Sequence, residues 1–124
     1  MLTIPTKGRY AVRILARIAF RQNKNVAYVQ KKDISADESI SEDYAEQILM
    51  HLKSAGFIES RRGPTGGFFL AKPADSISIL DILQAVEGNI AVAPCINNSC
   101  IQSQNCSAKK LWFTVQNAII NVLK

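Results

Sequence analysis

The chain has 124 residues, of which 48% are apolar and 20% charged, and a formal net charge of +5. This composition is typical of a globular protein and excludes a disordered or low-complexity chain. Arginines interrupt the apolar N-terminal stretch, and no uncharged run approaches the length of a membrane span. We therefore expect a cytoplasmic protein without a signal peptide or membrane contact.

The excess positive charge is confined to the first part of the chain. Residues 1–72 hold 12 basic and 7 acidic side chains, a difference of +5, whereas residues 73–124 hold three of each. Binding to a phosphate backbone releases condensed counterions, so a basic surface favours a polyanionic partner. We expect the first part of the chain to contact nucleic acid.

The first predicted helix is capped by Thr6 and runs to about Arg21. Apolar residues at helical spacing form its buried face: Tyr10, Ala11, Ile14, Leu15 and Ile18. A row of arginines follows another face: Arg9, Arg13, Arg17 and Arg21. Like charges at this spacing repel one another slightly, so the simpler interpretation is a solvated face. Contact with phosphate is favoured only at the N-terminal end, for Lys7 and Arg9.

A helix-turn-helix follows. Residues 29–36 form a short amphipathic segment with Val29 and Ile34 directed inward, and residues 37–39 form a polar turn. The next helix begins at an N-cap, Ser41, and ends before Gly56. Its apolar face comprises Ala45, Ile48, Leu49 and Leu52, and its outer face carries Ser41, Tyr44, Gln47 and His51, which can hydrogen-bond to or stack on a nucleic acid.

A two-stranded wing is predicted after this helix. Residues 57–60 and 68–70 are strand-like and flank a turn rich in glycine and basic residues, at positions 61–67. Glycine permits turn conformations and close approach of the backbone to a phosphate, and Arg61 and Arg62 would face the duplex at the base of the wing. A glycine-rich hairpin alone is weak evidence, but the ordered combination predicts a winged helix-turn-helix that binds DNA.

Two further helices are predicted. Ser78 and Asp81 form a capping box for the first, which ends at Gly88. The last runs from Lys109 or Lys110 to Lys124 and carries an apolar stripe: Leu111, Val115, Ala118, Ile119 and Val122, widened by Trp112 and Leu123. A small domain cannot bury this stripe alone, so we expect a homodimer that reads a pseudo-palindromic site in double-stranded DNA.

Three cysteines lie between these helices, in a segment that is otherwise mostly Asn, Gln and Ser. Cys95, Cys100 and Cys106 are separated by four and then five residues, which is not the two-residue spacing of zinc ribbons. Three thiolates suit a soft metal or an iron-sulfur cluster. A zinc site or a thiol switch without metal stays open, and no fourth ligand is evident, since His51 lies on the outer face of its helix.

The chain resembles the bacterial winged-helix regulators that include IscR, NsrR and CymR. The matching residues are 6–11, 33–35, 40–41, 44, 46–47, 52, 55–56, 62–64, 66–67, 77–78, 81–82, 85–88 and the three cysteines. In IscR-like members an iron-sulfur cluster is held by three cysteines and a histidine, which implies that Cys95, Cys100 and Cys106 are cluster ligands. The chain departs from the IscR-like pattern in two ways: Lys109 stands at the histidine position, and the gap between the first two cysteines is shorter by one residue. CymR-like members lack the cysteines, so in this respect the chain is less similar to that branch.

The resemblance also implies the DNA contacts. They are Ser41, Tyr44, Glu46, Gln47, Arg62, Gly63 and Pro64, at the start of the recognition helix and on the wing. Glu46 matches the glutamate that helps IscR-like members to discriminate between two operator classes. A carboxylate can accept from a cytosine amino group but repels phosphate, so it acts as a selective filter.

These observations predict a mainly α fold with a small β-hairpin. We expect a winged helix-turn-helix DNA-binding domain at residues 1–88, a cluster-binding loop at 89–107 and a dimerisation helix at 108–124. The expected function is that of a transcription regulator, such as a repressor, which senses iron-sulfur, redox or nitrosative status through a cluster of two or four irons. An enzyme is not expected, because the chain has one histidine and no nucleophile-base arrangement or nucleotide-binding loop.

Overall fold

The computed structural model describes residues 3–93 and 106–124. Within these ranges the chain forms α1 (Thr6–Asn23), α2 (Lys31–Glu38), α3 (Glu42–Ser54), β1 (Ile58–Arg61), β2 (Gly67–Leu70), a short 3-10 helix (Ala74–Ser76), α4 (Ile79–Glu87) and α5 (Ser107–Leu123). The predicted fold, mainly α with a small β-hairpin, is confirmed.

The hydrophobic core lies where the first four helices meet the wing. Its fully buried side chains come from α1, α2, α3 and β1 and from Val29, which lies just before α2: Ile14, Ile18, Val29, Ile34, Ile48, Leu49, Leu52 and Ile58. The predicted apolar face of α3 is buried throughout. On α1 four of the five predicted residues are buried, while Tyr10 is half-buried against the core. Burial of these faces fixes α3 against α1 and leaves its opposite side exposed.

The start of α1 differs from the prediction. Pro5, and not Thr6, occupies the N-cap, and its carbonyl oxygen accepts from the Arg9 amide at 3.1 Å. Thr6 is the first helical residue, and its hydroxyl accepts from Arg9 Nη2 at 3.0 Å. The prediction of a Thr6 cap was wrong because proline, with φ already fixed near −58°, supplies the entry to the helix.

The arginine row of α1 contacts α2. Arg13 Nη2 lies 2.5 Å from Glu38 Oε2, an ion pair without hydrogen-bond alignment, and Arg21 Nη2 donates to Asp37 Oδ2 at 2.6 Å. Arg17 Nε lies 3.7 Å from Asp37 and 3.9 Å from Glu38, which is only 4% exposed. These arginines keep 59%, 39% and 31% of their side chains exposed, so the face is solvated as expected and is also paired with α2. The predicted turn at residues 37–39 was wrong in part, because this pairing carries α2 through Glu38.

A tight connection joins α2 to α3. Ser39 adopts the left-handed conformation, with φ of +56°. Ser35 Oγ donates to the Ile40 carbonyl oxygen at 2.5 Å, and the Ile40 amide donates to the Ser35 carbonyl oxygen at 3.1 Å. Ser41 then caps α3 as predicted, because its Oγ accepts from the Tyr44 amide at 3.1 Å. These bonds fix the angle at which α3 leaves α2.

The wing is an antiparallel hairpin with Ile58 opposite Leu70 and Arg61 opposite Gly67. Val29 extends it by one bridge: its amide donates to the Phe68 carbonyl oxygen at 2.9 Å, and the Phe68 amide donates back at 2.8 Å. The residues before α2 are thereby attached to the wing.

The last two helices differ in burial, because α4 buries several apolar side chains whereas α5 buries only Gln116. The predicted capping box of Ser78 and Asp81 at the start of α4 is confirmed. α5 begins at Ser107, two or three residues before the predicted start, and exposes Leu111, Trp112, Phe113 and Val122. In residues 3–93 and 106–124 no helix combines the length and the apolar character needed to cross a membrane.

Candidate nucleic-acid interface and cysteine segment

The outer face of α3 carries most of the predicted contact residues. Ser41, Glu46, Gln47 and His51 are exposed. Tyr44 is half-buried, and its ring meets that of Tyr10 edge-on, with centroids 5.9 Å apart. Tyr44 therefore fixes the start of α3 against α1 and has less freedom to approach a ligand than its neighbours.

The turn of the wing requires glycine at two positions. A Cβ on Gly66 would lie 2.0 Å from the Arg61 carbonyl oxygen. Gly67 has φ of +150°, and a Cβ there would lie 2.7 Å from the Val29 carbonyl oxygen. Larger residues would open the turn, so these glycines hold Arg62, Gly63 and Pro64 at an exposed tip.

Tyr28, which the sequence analysis did not identify, holds the predicted contact Arg61. Arg61 Nη1 donates to Tyr28 Oη at 2.9 Å, and the guanidinium lies 5.6 Å from the Tyr28 ring centroid. The Tyr28 ring in turn meets Phe69 edge-on at 5.5 Å. The hydrogen bond to Tyr28 raises the pKa of Arg61 above its ordinary value. Tyr28 therefore restricts the position of the Arg61 guanidinium, which is cationic at any physiological pH, at the base of the wing.

A basic groove separates the start of α2 from the wing. Its lining is Gln30, Lys31, Lys32, Arg61, Arg62, Gly63, Pro64, Gly66 and Gly67, which includes four cations and no carboxylate. Gln30 Nε2 donates to the Pro64 carbonyl oxygen at 3.0 Å and holds the two walls together. Four cations without a carboxylate form a surface suited to phosphate. The sequence analysis missed Gln30, Lys31 and Lys32, although the two adjacent lysines at a helix start were a signal.

Lys31 also contacts the recognition helix. Its Nζ lies 3.6 Å from Glu46 Oε2, and 55% of the Glu46 side chain is exposed. The groove and the outer face of α3 are therefore joined by one ion pair.

The remaining predicted contacts, Lys7 and Arg9, lie on the first turn of α1. Lys7 is half-buried and Arg9 is exposed. Tyr10, the next residue, touches Tyr44, so this turn lies beside the start of α3. Neither side chain lines the groove.

The cysteine segment is described only at its two ends. Cys95 and Cys100 lie outside the described residues, and Cys106 is half-buried at the N-cap of α5. Among the residues that are described, no three His, Cys, Asp or Glu side chains come together as a metal site. Lys109, which the resemblance placed at the histidine position of IscR-like members, has its Nζ 5.9 Å from the Phe113 ring centroid.

Gln116 connects α5 to the residues that precede the cysteines. It is the one buried residue of α5, its Oε1 accepts from the Val92 amide at 2.9 Å, and its Nε2 donates to the Ile90 carbonyl oxygen. Both ends of the cysteine segment are therefore attached to α5. The sequence analysis missed Gln116, which is one of two adjacent amides, Gln116 and Asn117, in a largely apolar stretch.

Comparisons with known proteins agree with this arrangement. The family model described as "Rrf2: Iron-dependent Transcriptional regulator" matches residues 4–124. The HTH-type transcriptional regulator IscR of Cereibacter sphaeroides is 39% identical over 89 residues, which cover 72% of this chain and 57% of IscR. This match therefore spans less than two thirds of that relative.

Two solved structures are similar to this chain over most of its length. CymR (YrzC), titled the global cysteine regulator of B. subtilis, aligns with a TM-score of 0.83 and 31% identity over 99% of this chain and 90% of its own. T. potens IscR aligns with a TM-score of 0.77 and 30% identity over 98% of this chain and 80% of its own. These similarities extend across both the helix-turn-helix and α5.

Proposed function

Because this chain belongs to the Rrf2 family of transcriptional regulators, we propose that it binds a pseudo-palindromic operator in double-stranded DNA as a cytoplasmic homodimer. The chain is a regulator and not an enzyme. Residues 1–88 would read DNA, residues 89–107 would hold the sensor, and residues 108–124 would form the dimer contact.

One observation carries the DNA-binding proposal: the basic groove and the exposed face of α3 are adjacent and are joined by the Lys31–Glu46 pair. A helix of this kind enters the major groove, where Ser41, Glu46 and Gln47 would reach base edges. Arg61, Arg62 and the backbone of Gly63 and Pro64 would contact phosphate or the minor groove. Lys7 and Arg9 would reach the phosphates beside the start of α3.

Replacement of Arg62 tests the wing. A duplex selected from a random pool by the wild-type protein serves as the probe, and fluorescence anisotropy measures its affinity. Arg62→Ala should weaken binding at least about fivefold, since one Arg contact to DNA contributes about 1–3 kcal/mol. Lys124→Ala, which removes the same charge at the end of α5, should leave the affinity unchanged. Equal affinities of the two variants for the duplex would mean that Arg62 and the wing do not contact DNA.

The exposed apolar side chains of α5 support the homodimer. Leu111, Trp112, Phe113 and Val122 lie on a helix whose only buried residue is Gln116. Leu111 and Val122 lie on one face of this helix, and an exposed apolar stripe of this kind marks a contact surface for which a second copy of the helix supplies a match. Two joined chains would then present two α3 helices to two half-sites.

The sensor proposal rests on the donor set. Cys95, Cys100 and Cys106 supply three thiols on one short segment, which fits an iron-sulfur cluster of two or four irons. Cys106, the one of the three that the structure describes, is half-buried at the start of α5. When bound, a cluster would supply sensitivity to iron supply, oxidation or nitric oxide. Gln116 would then transmit a change in this segment to α5, because it holds the backbone at Ile90 and Val92.

Metal content tests the sensor. Protein purified without air should contain iron and sulfide in matching amounts and absorb in the visible range. Cys100→Ala should abolish both signals and leave a folded dimer by circular dichroism and sedimentation. An unfolded product would mean that the metal is structural.

A zinc-based or thiol-based regulator is the alternative. Lys109 favours it, because an ammonium group stands where IscR-like relatives supply a histidine ligand. A colourless protein that contains zinc, or no metal after attempted reconstitution, would favour this alternative. The DNA-binding proposal would be unaffected.

A further inference from the structure

Lys31 takes part in two different arrangements. Its Nζ lies 3.6 Å from Glu46 Oε2, and its side chain lines the basic groove with Lys32, Arg61 and Arg62. The two paired side chains keep 33% and 55% of their surface exposed. Ion pairs at the surface contribute little to stability, so this pair does not serve mainly to hold α2 and α3 together.

Glu46 needs a neutralising partner for another reason. It is an exposed carboxylate on the helix that faces DNA in the proposed function. A carboxylate is repelled by phosphate, and this cost is offset where a base amino group, usually that of cytosine, donates to it. The penalty at a site without cytosine therefore depends on how well a nearby cation neutralises Glu46. Lys31 is the cation that the structure places in ion-pair contact with Glu46 within the described residues.

We propose that Lys31 is a positioning residue for Glu46 and sets how strictly α3 discriminates between operators. Paired with Lys31, Glu46 carries a reduced effective charge, and the protein tolerates sites that offer no cytosine. Without Lys31, the full charge of Glu46 would lower the affinity for those sites. The affinity for sites at which cytosine donates to Glu46 would stay nearly the same. This inference rests on the proposed function, because it requires that α3 and the groove face DNA.

Lys32 provides a matched control. It is the neighbouring residue, it lines the same groove and it is exposed, but it forms no ion pair within the described part of the chain. A contact of Lys32 with phosphate carries no sequence information, so its loss should weaken all duplexes by one factor.

The experiment measures a ratio of affinities. Operators are selected from a random duplex pool with the wild-type protein and with Glu46→Ala, and the cytosine position whose preference disappears in Glu46→Ala is identified. Fluorescence anisotropy then gives Kd for the selected duplex and for the same duplex with thymine at that position. The comparison covers the wild type, four single variants and one double variant: Lys31→Ala, Lys31→Arg, Lys32→Ala, Glu46→Ala and Lys31→Ala/Glu46→Ala.

The expected result is a change in selectivity that depends on Glu46. Lys31→Ala should increase the thymine-to-cytosine Kd ratio about two- to fivefold, the upper part of the range of one partly exposed charge pair. Lys31→Arg should keep the wild-type ratio, and Lys31→Ala should have no effect on the ratio in the Glu46→Ala background. Lys32→Ala should weaken both duplexes equally.

Two results would overturn the inference and leave DNA binding intact. One is equal weakening of both duplexes by Lys31→Ala, as by Lys32→Ala. The other is an unchanged base preference in Glu46→Ala. If the wild-type protein selected no duplex at all, the proposed function would fail, and the inference with it.

Discussion

The helix-turn-helix and wing, residues 28–70, hold their functional side chains through contacts within one chain, whereas α5 leaves its large apolar side chains exposed. In the first region Tyr28 restricts Arg61, Gln30 holds the wing tip and Ser41 caps α3. In α5 only Gln116 is buried, and Val122 is 83% exposed. The first region is therefore positioned by its own contacts, and the second leaves apolar side chains exposed that the proposed dimer would cover.

Truncation of the core should have the largest effect and tests whether the first region is self-contained. Leu52→Ala removes a fully buried side chain of α3 and should lower the free energy of unfolding by about 2–5 kcal/mol. Urea denaturation followed by circular dichroism, at one protein concentration, measures this loss. Met50→Ala lies on the same helix at a position 52% exposed and should cost less than about 0.5 kcal/mol. Equal losses would contradict the described packing of α3.

A charge on α5 should affect assembly and leave the fold intact. Val122→Asp places a carboxylate on the exposed apolar stripe and should raise the dimer Kd at least thirtyfold, about 2 kcal/mol, because a buried unpaired charge is costly. Analytical ultracentrifugation measures the dimer. Asn117→Asp adds the same charge at an exposed position away from the stripe and should have little effect. If Val122→Asp left the dimer Kd unchanged, the dimer contact would not include the apolar stripe of α5.

Removal of the Gln116 amide should have a smaller, local effect. Gln116→Ala leaves the Val92 amide and the Ile90 carbonyl without their side-chain partner, at a cost of about 1–3 kcal/mol. Hydrogen exchange of the Val92 amide should become faster by the factor that corresponds to this free-energy cost, while exchange in the α3 core stays the same. Gln84→Ala, an exposed amide on α4, is the control. Unchanged exchange at Val92 would mean that Gln116 does not hold this segment.

The smallest effect is expected at Tyr28. Tyr28→Phe removes the hydroxyl that accepts from Arg61 and keeps the ring beneath the guanidinium. Affinity for a selected duplex should fall less than about threefold, since Arg61 keeps its charge and loses only part of its positioning. Tyr28→Ala, which removes the ring as well, should weaken binding further. Identical affinities for all three proteins would show that Arg61 needs no support from Tyr28.

Local signals in the sequence predicted much of the first region. The cap at Ser41, the apolar face of α3, the wing strands and the capping box at Ser78 depend on residues within a few positions of one another. Neighbouring residues decide such features, so single-sequence patterns identify them.

Contacts between distant residues explain the differences. Asp37 and Glu38 are typical of a turn, but arginines of α1, 16 and more positions earlier, hold them in a helix. Likewise, neither the Lys31–Glu46 pair nor the attachment of Gln116 to Ile90 leaves a periodic signal in the sequence. Each depends on how two elements pack, which spacing along the chain does not specify.

Native mass spectrometry of protein purified without air is the first experiment to make, because one spectrum reports both assembly and bound metal. We expect a dimer of twice the 13.7 kDa chain mass, with the additional mass of an iron-sulfur cluster on each chain. On exposure to air the cluster mass should be lost while the dimer persists. A monomer without iron or sulfide, at concentrations at which the protein binds DNA, would show that the chain is neither a dimer nor a cluster-binding sensor.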